Sequence, residues 1–163
     1  MHRNRLMALA GVIIGIIGLF MPGLTTDGEQ LLPDLNAADP NFPDGIPTIW
    51  GGLDAVAQVV IAIAIIVLVV IAVRPDIARV PDRNSSMIVA VIGVGMLAYA
   101  IVKFIDTGNK ADDLAAAFGQ AAAGGAIPTA FEVSRGIGFV VLIIGTVLVT
   151  FAGAMGFMGD SDE

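Results

Sequence analysis

The sequence predicts an all-α integral membrane protein: a single domain over residues 1–163 that forms a four-helix bundle. Of the 163 residues, 56% are hydrophobic and only 14% are charged, and the mean hydropathy is +0.89. A soluble domain usually carries roughly a quarter charged residues. Long apolar segments, and an uneven placement of arginine and lysine between them, favour the same fold class.

The apolar segments have lengths close to those that membrane-spanning helices need. A helix needs about 20 residues to cross a hydrocarbon core of ~30 Å, and about 17 is near the lower limit. The first segment has only 16 residues before Pro22, so it must use flanking residues or thin the bilayer. The predicted spans are residues 6–21, 53–73, 87–105 and 136–158.

The first apolar segment also has features of a secretory signal peptide, because it is short and follows Arg3 and Arg5. No Ala-x-Ala cleavage site follows the segment in this sequence. We therefore expect an uncleaved first span.

Arginine and lysine residues set the expected orientation, because loops rich in them stay in the cytoplasm. The N-terminal tail and the loop after the second span hold five of the eight: Arg3, Arg5, Arg74, Arg79 and Arg83. The other three lie in or beside the second outer loop: Lys103, Lys110 and Arg135. This predicts cytoplasmic termini, with outer loops over 22–52 and 106–135. Arginine in excess over lysine, together with abundant alanine and valine, hints at a GC-rich bacterial source, so we expect the bacterial plasma membrane.

The first outer loop is rich in proline and acidic. It holds five of the eight prolines, whose spacing is incompatible with a continuous helix or a central strand. It has no lysine or arginine to balance its acids, so it can form a docking surface for a basic protein partner; the alternative is a plain solvated loop. The acidic residues are Asp27, Glu29, Asp34, Asp39 and Asp44.

The second outer loop is expected to contain a short amphipathic helix. Acidic residues at 112–113, a run of good helix formers and a double glycine at 124–125 are start and stop signals of a helix. Further on, Thr129 and Glu132 have the spacing of a capping box, which predicts that the helix of the fourth span begins near Ala130.

Small residues recur at helix-packing spacing in the first and fourth spans. Such residues let helix backbones approach closely in lipid, where hydrophobicity alone favours no association. They predict a helix-packing interface formed by Ala8, Gly11, Gly15, Gly18, Gly138, Gly145 and Ala152.

Polar groups within the spans are few. Asp54 and Gln58 share a helical face. One interpretation is that they form a cation-binding or hydrogen-bonding site near the outer surface. The other is that the helix dipole favours an acidic residue at the position of Asp54, while Gln58 hydrogen-bonds to a neighbouring helix. The second interpretation is preferred. The sequence has no cysteine, one histidine and no recognisable catalytic or metal-binding motif, so we expect no enzyme activity, catalytic residue, cofactor or metal site.

These observations predict a non-catalytic accessory or assembly subunit of a larger integral-membrane complex, such as respiratory-chain or cell-envelope machinery. Its expected partners are membrane lipids, other integral-membrane subunits and a basic protein at the acidic loop, with no nucleic acid. The alternative is a small transporter or channel for an apolar or lipidic solute, because such cargo needs few charges in the spans.

Overall fold

The computed structural model of the protein describes residues 2–74 and 82–159 and is mostly helical. A single 3-10 turn, Glu29–Leu31, precedes the second helix. The helices and strands, in chain order, are α1 Arg3–Leu19, β1 Leu24–Thr26, α2 Leu32–Ala38, α3 Ala55–Ala72, α4 Arg83–Ala123, β2 Val133–Arg135 and α5 Gly138–Gly159.

Within the described residues, three helices are long and apolar enough to cross a membrane: α3, α4 and Gly138–Met158 of α5. This confirms the prediction of a membrane protein with transmembrane helices. Helix α1 has 17 residues, which corresponds to a length of about 26 Å, slightly below the ~30 Å of a hydrocarbon core.

Helices α1 and α4 both run antiparallel to α5 and pack closely against it. Gly11 of α1 lies against Gly145, whereas Gly18, further along α1, lies against Gly138. On α4, Gly93 lies against Thr150. The start of α1, the end of α3, the start of α4 and the end of α5 therefore share one end of the molecule, which we call the terminal end.

Helix α3 packs less closely than the other long helices. Its Leu68 and Ile71 join a buried cluster with Ala8 of α1 and Val149 of α5. Many of its other apolar side chains are exposed, and few of its residues approach α1 or α4 closely. Helix α3 has no glycine, which removes the means of close backbone contact used by the other helices.

A small folded unit, which we call the cap, covers the end opposite the terminal end. It consists of residues 24–46, the last part of α4 and residues 126–135. Strands β1 and β2 pair antiparallel, with Leu24 opposite Arg135. Its core consists of Leu32, Leu35, Phe42, Leu114, Phe118 and Ile127.

The prediction of a separate short helix in the second outer loop is wrong. Residues 112–123 are the last part of α4, a single helix of 41 residues that also contains the predicted span 87–105. No proline interrupts the connection, and Asp106 pairs with Lys103 and Lys110 at helical spacing. The predicted stop is correct, because Gly124 caps the helix and Gly125 has φ +76°.

The two expected outer loops also contain more structure than their sequences indicated. Residues 22–52 include β1 and α2, and Pro33 lies in the first turn of α2, where it costs no hydrogen bond. The expected helix start near Ala130 is wrong, because residues 133–135 pair as a strand and α5 begins at Gly138.

Candidate functional site

A cleft of about 470 Å³ lies between α3, α4 and α5, below the turn that leads into α3. Ala57 and Ile61 line it from α3, and Phe139 and Leu142 line it from α5. Its volume is within the ~300–1,000 Å³ typical of ligand pockets. The cleft lies beside α3, which makes few close contacts with α4, whereas α4 and α5 pack closely along their lengths.

The face of α4 that lines the cleft changes from apolar to polar along the helix. Ile92, Met96 and Ala100 form the apolar part, and Lys103 and Lys110 follow toward the cap. Between residues 92 and 103 the helix rises about 16 Å, roughly half of a ~30 Å hydrocarbon core. The cleft therefore has an apolar interior and a charged mouth near the cap.

Three charged side chains interact at this mouth. The carboxylate of Asp106 lies 3.6 Å from the ammonium group of Lys110 and 4.0 Å from that of Lys103. The Lys103 ammonium group also lies 5.8 Å from the centre of the Tyr99 ring. The three side chains are 33% to 63% exposed, so these ion pairs contribute little to stability. Two cations and one anion leave a net positive charge.

The hydroxyl group of Tyr99 is buried beside the cleft. It has no hydrogen-bond partner among the described residues. Leaving such a group unpaired costs about 1–3 kcal/mol, and most buried polar groups are paired. Tyr99 therefore has an unsatisfied hydroxyl group beside the cleft.

Asp54 and Gln58 have partners at the start of α3. The Asp54 carboxylate caps the helix by accepting a hydrogen bond of 2.8 Å from the Ala57 amide. The Gln58 amide donates a hydrogen bond of 3.0 Å to the Trp50 carbonyl, which precedes the helix instead of lying on a neighbouring one. Both bonds stabilise the turn into α3, and neither residue lines the cleft.

The predicted helix-packing residues are all buried between α1 and α5 or in the adjoining core. A methyl group on Gly18 would lie 2.5 Å from the backbone nitrogen of Leu142, and one on Gly145 would overlap the backbone of Gly15. Ala8 and Ala152 belong to one buried cluster. The complete set is Ala8, Gly11, Gly15, Gly18, Gly138, Gly145 and Ala152.

Sequence reasoning missed the glycines at the contact between α4 and α5. Gly93 packs against Thr150, Gly153 against Ala90, and Gly156 against the side chain of Ser86. The three-residue spacing of Gly153 and Gly156 is the signal that was available. Both glycine contacts lie inside the chain, and all four long helices retain exposed apolar side chains on their outer faces.

The five acidic residues of the first outer loop are all solvent-exposed on the cap. Asp39 accepts hydrogen bonds of 3.0 and 2.9 Å from the backbone and side chain of Asn41. Among the described residues, no group of three or more histidine or acidic side chains is placed to hold a metal ion. The exposed acids are Asp27, Glu29, Asp34, Asp39 and Asp44.

The terminal end carries arginine side chains and a helix cap. Arg5 is 6% exposed and donates a hydrogen bond of 3.4 Å to the Ile71 carbonyl at the end of α3. Asp82 caps α4, and the Ser85 hydroxyl donates a 2.6 Å hydrogen bond to its carboxylate. This bond lowers the pKa of the Asp82 carboxyl below its usual range. The sequence analysis used Arg5 as a sign of orientation and of a possible signal peptide, and it missed the burial of this side chain.

No protein-family model matches this chain, and neither does any curated protein or solved structure.

Proposed function

We propose that the protein is a non-catalytic membrane protein that binds an apolar or lipidic molecule in the cleft between α3, α4 and α5, as a small carrier for that solute. The observation that carries this proposal is the cleft itself: about 470 Å³ of largely apolar space beside a loosely packed helix. A ligand that enters sideways from the bilayer does not need to cross water, and the apolar walls favour a hydrocarbon chain.

We propose that α1, α3, α4 and α5 form a four-span bundle in the bacterial plasma membrane. The terminal end holds Arg3, Arg5, Arg74 and Arg83, which favours a cytoplasmic position for this end and for both termini. The acidic cap then lies outside, and the cleft opens in the outer leaflet. Phe20 and Met21 extend the short α1 toward the membrane surface.

The depth of the cleft favours binding from one leaflet over an open channel. Its lining ends near Ile92 on α4 and Thr146 on α5. Further toward the terminal end, a cavity of only about 10 Å³ lies between Gly11, Leu68 and Val149. A space of this size is close to the minimum for one water molecule, so a solute needs a movement of α3 to pass further.

A matched pair of glycine substitutions on α4 tests the cleft. Gly95 lines it, and both Gly95 and Gly119 have open space where a side chain would start. The Cβ of Gly95→Leu meets no neighbouring atom and the leucine side chain takes up space at the cleft, so we expect this variant to weaken binding of a diacylglycerol about tenfold, equivalent to ~1.4 kcal/mol. Gly119→Leu makes the same change away from the cleft and should bind as the unmodified protein does.

Native mass spectrometry of the full chain in detergent measures the bound diacylglycerol. Equal binding by the unmodified protein and the Gly95→Leu variant contradicts binding in the cleft. Equal loss of binding in Gly95→Leu and Gly119→Leu also contradicts binding in the cleft. Such a loss would come from replacing a glycine of α4 by leucine, whether or not that glycine lines the cleft.

A second candidate function is that of an accessory subunit in a respiratory-chain or cell-envelope complex. The specific observation is the cap, which has its own buried core and displays five acidic side chains on its surface. A basic protein partner would dock there, while the exposed face of α3 would contact other integral-membrane subunits.

The mass of the native assembly tests this second function. The unmodified protein, extracted gently at its natural expression level, should travel with stoichiometric partners. Replacing Asp27, Glu29, Asp34, Asp39 and Asp44 with asparagine should release a partner that docks on the cap. A lone monomer before any substitution contradicts the accessory role and leaves the lipid-binding proposal unaffected.

A further inference from the structure

We infer that the ligand of the cleft is an anionic amphiphile, held with its hydrocarbon chain along α4 and its single negative headgroup between Lys103 and Lys110. This inference rests on the proposed lipid-binding function and adds the chemical class of the ligand. The headgroup chemistry is that of a phosphate diester or carboxylate attached to a hydrocarbon chain.

The placement of charge along one helix face supports an amphiphile over a wholly apolar solute. Ile92, Met96 and Ala100 line the interior of the cleft, and the lining becomes charged at Lys103. The apolar length of about 16 Å along α4 matches one leaflet of a ~30 Å hydrocarbon core. A membrane lipid has the same division, with its chains in the leaflet and its headgroup at the surface.

The sign of the charge at the mouth favours an anionic headgroup. Lys103 and Lys110 flank Asp106, which pairs with both, so the charged side chains that line the cleft have one positive charge in excess. Asp54 is near enough for its charge to act on Tyr99, but it lies outside the cleft lining and its carboxylate is engaged as the cap of α3. Basic side chains near a bilayer surface attract anionic lipids.

The unpaired hydroxyl of Tyr99 is a second, independent sign of a polar ligand group. Tyr99 lines the cleft one turn below Lys103, at the change from apolar to charged lining. A phosphate or ester oxygen at this level would accept the hydrogen bond that no described residue accepts, once the buried hydroxyl turns toward the cleft. Charge and hydrogen bonding therefore point to the same place for the headgroup.

Lipids that differ only in their headgroups test this inference on the purified full chain. We expect phosphatidylglycerol to bind at least about fivefold more tightly than phosphatidylcholine with identical acyl chains. The double variant Lys103→Gln/Lys110→Gln should remove this preference. Arg3→Gln removes a positive charge from an exposed site at the terminal end and should retain the preference.

Tyr99→Phe separates ligand binding from folding. The hydroxyl has no partner among the described residues, so its removal should not lower the thermal stability of the lipid-free protein. We expect it to weaken phosphatidylglycerol binding about fivefold, the usual contribution of one hydrogen bond. Unchanged binding by this variant contradicts the predicted hydrogen bond to the headgroup.

The outcomes distinguish this inference from the function on which it rests. If phosphatidylglycerol and phosphatidylcholine bind equally well, and Gly95→Leu weakens the binding of both, the inference of an anionic headgroup is overturned. Lipid binding in the cleft is then still supported. Inorganic phosphate that binds at the lysines as tightly as the lipid overturns the amphiphile and indicates a free anion. Failure of both lipids and of diacylglycerol to bind the unmodified protein overturns both proposals.

Discussion

At Gly145 the backbones of α1 and α5 approach too closely for any side chain. A methyl group there would overlap the backbone nitrogen of Gly15 and lie 2.7 Å from the carbonyl oxygen of Gly11. We expect Gly145→Leu to force the helices apart and lower the free energy of unfolding by about 1–3 kcal/mol or more. Thermal unfolding in detergent, followed by circular dichroism, measures this change. Gly119→Leu is the control, and equal stability of the two variants would contradict close packing at Gly145.

Residue spacing predicts which face of a helix carries small residues, but not which other helix packs against that face. The repeats that contain Gly11 and Gly145 indicated close packing, and the structure places these two glycines against each other. The glycines that α5 presents to α4, Gly153 and Gly156, were missed because they lie outside the seven-residue series that predicted the α5 interface. The burial of Tyr99 and Arg5 depends on distant helices and on the path of the turn before α3, so single-residue patterns do not predict it.

At the scale of elements, the last part of α4 is also the longest helical segment of the cap. Phe118 on this helix is fully buried and packs against Phe42 and Phe131, with ring centroids 5.9 and 5.5 Å away. We expect Phe118→Ala to destabilise the cap by about 3–5 kcal/mol while the long helices stay packed. Hydrogen exchange should accelerate in residues 24–38 and remain slow in α5. Phe20→Ala, at a 60% exposed position, is the control; faster exchange throughout the chain would contradict independent folding of the cap.

Hydropathy predicts where the apolar part of a helix ends, but not where the helix itself ends. The apolar run of α4 ends at Ile105, but its hydrogen bonds continue because the following residues are compatible with a helix and include charge pairs at helical spacing. Glycine at 124–125 was the reliable stop signal. The strand pair was not predictable, since three-residue strands carry no clear alternation and depend on pairing between residues more than a hundred positions apart.

At the scale of the whole molecule, close packing on one side creates the space on the other. Glycine contacts hold α1 and α4 tightly on α5, whereas the glycine-free α3 packs loosely beside them and forms one wall of the cleft. The sequence predicted the apolar segments from composition and spacing. It did not predict the cleft, because an empty space depends on how several helices are positioned together.

The proposed orientation predicts which surface is reachable from outside the cell. The chain has no cysteine, so single cysteines give unambiguous labelling. Asp34 on the cap and Asn84 near the terminal end are both exposed, and neither is a basic residue that sets orientation. In intact cells, a membrane-impermeant maleimide should label Asp34→Cys, whereas Asn84→Cys should react only after permeabilisation. The reverse pattern would place the acidic cap and the mouth of the cleft in the cytoplasm, and it would contradict ligand entry from the outer leaflet.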